Sequence, residues 1–229
     1  YIGWLVQILD IYRPVTNRLP GWIIRSSLSR VHDLCSGSGE PMISLSKSFS
    51  GHINVSLSDK FPPEQSNRIG PLNYLPESHD ILEIDFESQK YYTMFNAFHH
   101  FDNIQQQAIV NQLIEKGAPF CFAEILEPNL FTLIKVILVN TIGQFFLAPF
   151  VKPFSIKRLF FTYLLPVNLL TTTYDGIISV LKSKNKKQYQ TLLSGLSSDE
   201  YHLEINSLPA PFFNNLIVIR GYPIHPSTI

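Results

Sequence analysis

The order of short apolar runs between residues 30 and 125 sets the tightest limit on what this chain can fold into. Strand-like runs occur at Arg30-Val31-His32-Asp33-Leu34-Cys35, Ile53-Asn54-Val55-Ser56-Leu57, Leu72-Asn73-Tyr74-Leu75, Tyr91-Tyr92-Thr93-Met94-Phe95 and Pro119-Phe120-Cys121-Phe122-Ala123-Glu124-Ile125. The first is followed by a glycine turn and a helical stretch reaching about Phe49. Before the fifth, Asp102 caps a helix carrying Ile104, Ala108, Ile109 and Leu113 on one side, and Gly117 closes it. Strands that alternate with helices predict a parallel sheet covered on both faces.

The end of the chain breaks this rhythm. His202-Leu203-Glu204-Ile205 and Leu216-Ile217-Val218-Ile219 have no helix between them, only a Pro-rich linker from Ser207 to Asn215. Strands joined that way pair antiparallel. The expected architecture is α/β: a doubly wound, mostly parallel seven-stranded sheet with helices on both faces. Its last strand is antiparallel, and a helical insertion separates strands five and six. The 229 residues divide into an N-terminal helical segment (1–29), a core (30–128), a helical lid (129–199) and a terminal strand pair (200–222). In the first segment Leu5, Ile8, Leu9 and Tyr12 mark a helix that Pro14 is expected to stop.

Charge excludes some functions. Lys plus Arg and Asp plus Glu are 18 each, so nothing global favours nucleic acid. The balance is uneven, however. Residues 130–190 hold eight Lys/Arg and the single acid Asp175, a local excess of +7 that the remainder cancels with −7. Two cysteines, Cys35 and Cys121, lie in apolar runs, as reduced thiols do. The opening residues have neither a basic stretch nor a small-residue cleavage site, so no secretory leader is expected and the expected location is cytoplasmic. No His/Cys/acid spacing suits a metal.

The strongest chemical signal is the exit from the first strand, Asp33-Leu34-Cys35-Ser36-Gly37-Ser38-Gly39. Glycines let a ligand approach the backbone and tolerate positive φ. A ligand then sits at the carboxyl ends of the strands. Asp59 follows strand two, twenty residues past Gly39, and can accept hydrogen bonds from a ribose diol. Asp80 follows strand three.

This set resembles the class I S-adenosylmethionine-dependent methyltransferases, whose first motif is an acid followed by glycine-x-glycine-x-glycine. Here Cys35 stands for the first glycine, while Gly37 and Gly39 are kept. The resemblance covers about residues 25–128, and 200–222 by topology. It implies S-adenosylmethionine as cofactor, with Cys35, Ser36, Gly37, Ser38 and Gly39 along its methionine part and Asp33 ordering that turn. Asp59, with the neighbouring Lys60, would hold the ribose, Asp80 and Ile81 would face the adenine, and Asn96 would lie beneath the sulfonium.

Strand four closes on Met94-Phe95-Asn96-Ala97-Phe98-His99-His100-Phe101. Similar methyltransferases of small and lipid-like substrates carry a His-His pair here. The Asn/Asp-Pro-Pro-aromatic pattern of those acting on planar amino groups is absent. His99 or His100 is a candidate base for the acceptor's proton, the alternative being that they fix the loop by hydrogen bonds. Phe98, Tyr174 and Asp175 are the candidate acceptor contacts. Asp175-Gly176 has a second reading, as a helix cap at Thr173 or Asp175.

The run 130–151 has one charge in 22 residues, long enough to span a membrane. A single crossing conflicts with strands five and six joining one sheet. The expected role is a helical lid, and contact with an anionic membrane surface through Lys135, Lys152, Lys157 and Arg158 is the second choice. The expected activity is methyl transfer to a small, apolar or lipid-like acceptor. Two alternatives stand beside it: a cofactor-binding protein that has lost catalysis, motivated by Cys35, and a membrane-surface protein whose basic apolar block is the functional part. The sequence leaves the oligomeric state open.

Overall fold

The computed structural model describes residues 1–47, 49, 53–63, 72–196, 198–212 and 214–224. Seven strands form one sheet: β1 (Arg30–Leu34), β2 (Asn54–Leu57), β3 (Asn73–Tyr74), β4 (Tyr91–Phe95), β5 (Phe120–Glu124), β6 (Tyr201–Ala210) and β7 (Asn214–Pro223). Their spatial order is β3-β2-β1-β4-β5-β7-β6. The first five are parallel, and β7 runs antiparallel to both β5 and β6. The order reverses at β1, so the ends of β1, β2 and β4 border one crevice, the place where such sheets bind ligands.

Side chains alternate across the central strands. In β5, Phe120 and Phe122 enter one core with Ile217 and Ile219 of β7, while Cys121 and Ala123 enter the other with Leu216 and Val218. Helices α5 (Asn103–Glu115) and α10 (Lys186–Leu192) cover the first face. The second is covered by α1 (Ile2–Leu9), α2 (Arg13–Thr16), α3 (Leu19–Arg25) and α4 (Met42–Ser46). The Asp102 cap is formed as a reciprocal box with Gln105, and Gly117 takes φ +62° after the helix.

Two boundaries differ from expectation. Pro14 does not end the helical pattern but sits in the first turn of α2, where its missing N–H costs nothing. The chain is already turned by Asp10, at φ 46°. The 207–215 linker is largely strand, because β6 pairs with β7 through Ser207↔Ile217, Leu208↔Leu216 and Pro209↔Asn215. Phe213, at the hairpin's tip, lies outside the described residues.

Between β5 and β6 the chain forms α6 (Leu130–Leu138), a π turn (Val139–Gly143), α7 (Gln144–Leu147), an elbow, α8 (Ile156–Leu159), a second π turn (Phe160–Leu164), α9 (Val167–Lys182) and α10. Asp175-Gly176 lies inside α9, which overturns the reading of a cap at Thr173 or Asp175. Glycine is present for close packing: a Cβ at 176 would stand 2.6 Å from Asn140 Nδ2 and Val136 Cγ1.

Gly221 faces a less forgiving neighbourhood. A Cβ there would stand 2.7 Å from a Tyr201 ring carbon and closer still to the Phe120 ring, both deep in the core. Gly221→Ala is expected to cost about 2–3 kcal/mol. A thermal melt should show a midpoint lower by roughly 4–10 °C.

Candidate active site

The exit of β1 is held by a buried carboxyl. Asp33 is 2% exposed, and its Oδ1 accepts a hydrogen bond from the Thr93 hydroxyl of β4 at 2.6 Å. Its carbonyl accepts from Ser36 Oγ at 2.8 Å and from Ser58 N at 3.0 Å. Burial pushes the Asp33 carboxyl up to about 7, against the lowering effect of the Thr93 and Ser36 hydroxyls. The expected ordering of the turn by Asp33 therefore runs through its main chain, while the carboxyl ties β1 to β4.

Beyond Asp33 the backbone is left-handed at Cys35 (φ 53°), Gly37 (φ 50°) and Gly39 (φ 85°). The replaced glycine of the motif is thus a position where glycine is conformationally free and cysteine costs about 1 kcal/mol. Gly39 is constrained twice, since a Cβ would also meet Ile43 Cδ1 at 2.6 Å. Gly37 is different. A Cβ on it would meet nothing within 4 Å among the described residues, so they leave the turn open on that side. Its N–H donates to Asp59 Oδ2 at 2.8 Å, and its carbonyl accepts from Tyr74 Oη at 2.9 Å.

The acids reach the same rim. Asp59 Oδ1 accepts from Phe61 N at 2.8 Å, and each carboxylate oxygen keeps a second lone-pair direction. Lys60 Nζ lies 2.7 Å from Asp80 Oδ2 and holds that carboxyl below the usual range. Asp80 Oδ1 accepts from Leu82 N, capping a one-turn 3-10 helix, Ile81–Glu83, whose Ile81 is buried. Asn96 has φ 51°, donates its N–H to Ala123 O at 2.8 Å and accepts from Ile125 N at 3.4 Å, which closes the tips of β4 and β5.

The two histidines separate. His99 is fully buried, and its Nδ1–H donates to Glu124 Oε2 at 2.6 Å. Glu124 Oε1 accepts from Phe98 N at 2.8 Å. An acceptor-only carboxylate fixes the imidazole tautomer and leaves Nε2 a lone pair. That Nε2 is buried without a hydrogen-bond partner among the described residues. His100 is exposed, and its pKa is lowered by partial burial and by His99. Its ring lies 4.4 Å from that of His99. Glu124 was not among the residues expected here. The available signal was a lone acid inside an otherwise apolar central strand.

The acceptor contacts expected from sequence are not brought together. Phe98 is fully buried in the core against Phe122 and Tyr189, so it lines no open surface. Tyr174 is 69% exposed, and Asp175 is exposed on α9. Helix α9 packs beside the Phe98–His100 turn, and the Asp175 charge acts on His100. At the other end of the site α1 lies on the glycine turn: a Cβ on Gly3 would collide with Ser38 Oγ. Tyr1 Oη donates to Val139 O of the insertion at 3.0 Å. Helix α1 therefore bridges the turn and the insertion.

Solved structures share this fold. The mitomycin 7-O-methyltransferase MmcR matches at a TM-score of 0.50 and 12% identity, over 86% of this chain and 50% of its own. Human N-acetylserotonin methyltransferase in complex with SAM matches at 0.50 and 11%, over 93% and 53%. The S-adenosylmethionine-dependent methyltransferase SibL matches at 0.51 and 10%, over 92% and 55%. The chain spans about half the length of these proteins. No family model matches it, and no curated protein matches its sequence. The fold is that of the class I S-adenosylmethionine-dependent methyltransferases, as the glycine turn and the antiparallel late strand implied.

Two outcomes test this geometry. His99→Ala leaves the Glu124 carboxyl buried with one donor, and should cost about 3 kcal/mol and roughly 6–12 °C of thermal midpoint. Burial pushes the thiols of both Cys35 and Cys121 up to about 12, with neighbouring acids adding to the effect at Cys35. Near pH 8 only about one thiol in ten thousand would then be thiolate. Ellman's reagent should leave the folded protein unmodified for minutes and label both cysteines in denaturant.

Proposed function

We propose that the protein is an S-adenosylmethionine-dependent methyltransferase acting on a small, apolar or lipid-like acceptor beneath the helical insertion. The observation that carries the reading is the Asp59–Gly37 pair. It places a carboxylate with free lone pairs and an open glycine backbone side by side at the switch point of this strand order.

The residues fit the cofactor. Asp59 would accept the ribose hydroxyls, Gly37 leaves room for the cofactor to approach, and Asp80 would face the adenine, while the expected contact Ile81 is buried in the core. The Asp59 carboxylate, with the Asp80–Lys60 pair beside it, suits a ligand that carries positive charge. The cofactor supplies an electrophilic methyl group on a positively charged sulfur. The chain supplies alignment and proton removal. Of the two histidines, His99 suits the base. Glu124 holds its Nδ1–H, and the orphaned Nε2 is the atom that would accept a hydroxyl or amine proton from the acceptor. A buried acceptor atom without a partner calls for such an explanation. Helix α9, beside the His99 turn, would shield the reacting centre from water.

Calorimetry with S-adenosylmethionine and S-adenosylhomocysteine tests the reading. Wild type should bind both, and Asp59→Ala should weaken both by at least roughly thirtyfold, the loss of two charge-assisted hydrogen bonds. His99→Gln should leave cofactor binding within about twofold. A folded wild-type protein that binds neither ligand would refute the proposal.

A further inference from the structure

The two arms of the insertion are inverted in polarity. Asn140, Gln144 and Thr162 are buried, while Phe131, Phe146, Phe150, Phe154, Ile156 and Leu164 are each at least 60% exposed. The buried polar groups serve one another. Asn140 Nδ2 donates to Thr172 O at 2.9 Å, Thr172 Oγ1 to Gln144 Oε1 at 2.6 Å, and Asn168 Nδ2 to Thr162 Oγ1 at 3.3 Å. A helical pair facing water buries its aromatics and exposes its amides. This one does the reverse. The helical run Leu130–Phe150 is 21 residues long and apolar, and only 17% of its most apolar window is buried. The arm Ile156–Leu164 plus Val167–Lys182 is bent by 80°.

The elbow between the arms carries the second argument. Non-helical backbone enters an apolar medium only when its polar groups are satisfied within the protein. Here Arg158 turns inward and donates to the carbonyls of Ala148, Val151 and Pro153. The side chains left outside are Phe150, Phe154 and Ile156, at 65–76% exposure, interleaved with exposed Lys152 and Lys157. No acid occurs between Glu127 and Asp175. Protein interfaces are depleted in lysine, whereas aromatics interleaved with lysines, unopposed by acids, match an anionic lipid surface in both chemistry and charge.

We infer that the insertion is a docking module for anionic membranes, lying in the interface with the Ala148–Ser155 elbow at the boundary between headgroups and acyl chains. The phenylalanines and Ile156 enter the acyl region, and Lys152 and Lys157 pair with lipid phosphates and carboxylates. The inference stands independently of methyl transfer.

The test is co-sedimentation of the full chain with vesicles of phosphatidylcholine alone, or with about one-third phosphatidylserine, at low and high salt. Wild type should sediment with the anionic vesicles and less so as salt rises. Lys152→Gln/Lys157→Gln should weaken binding about 25-fold, roughly fivefold per lysine. Phe150→Ser/Phe154→Ser should lose at least as much while keeping the wild-type circular dichroism spectrum. Three results would overturn the inference. One is wild type that stays in solution with anionic vesicles at low salt. The second is binding by the folded Phe150→Ser/Phe154→Ser variant that matches wild type. The third is a wild-type dimer in sedimentation velocity that the same substitutions dissolve, with no lipid binding by either form.

Discussion

Asp33 ties together β4, the segment beyond β2 and the glycine turn. Its carboxyl holds Thr93 of β4, its carbonyl holds Ser58 beyond β2, and the same carbonyl takes the Ser36 hydroxyl of the turn. Burying a carboxyl this deeply is unfavourable unless its lone pairs are used, and the Thr93 bond is what offsets the burial. The geometry at the carboxyl ends of the strands follows from it. With β1 pinned between β2 and β4, the left-handed run from Cys35 to Gly39 has one place to go, and Gly37 arrives against Asp59. That contact, made by a main-chain N–H, turns two separate sequence signals into one site.

Much of this was legible because the signals were local. Short apolar runs marked the strands, with period-two alternation in Ile53–Leu57, and a strand leading into Gly37 and Gly39 marked the crevice. The chain's return through two strands without a helix marked the antiparallel end. What escaped reading depends on contacts between distant segments. Glu124 looks like any acid until β5 lies next to β4 and the Phe98–His99 turn folds over it. Tyr74 reads as a strand residue, and only the fold shows its hydroxyl on Gly37. Asp175-Gly176 reads as a cap because glycine usually interrupts helices. In α9 it persists because α6 approaches so closely that no side chain fits. Phe98, beside the histidines in sequence, points into the core because the short 3-10 turn sends successive side chains in different directions, about 120° apart.

The insertion shows a deeper limit. Its sequence is apolar nearly throughout, a pattern shared by a buried core helix, a lid and a lipid-facing helix. Only the partition of Asn140, Gln144 and Thr162 to the inside distinguishes these cases, and that partition exists only once the arms are paired. Helix α1 adds a mechanical link. It touches Ser38 of the turn through Gly3 and the insertion through Tyr1. The insertion is therefore tied to both ends of the crevice, to the glycine turn through α1 and to the histidine turn through α9.

The separation of charge along the chain has a consequence for the whole molecule in solution. The excess of +7 in residues 130–190 and its cancellation by −7 elsewhere give a molecule with no formal net charge whose cationic excess is gathered on one segment of the chain. Such a particle does not drift in a uniform field, yet it turns in one. Near a charged wall it aligns before it touches, presenting its cationic pole to an anionic wall and its other pole to a cationic one.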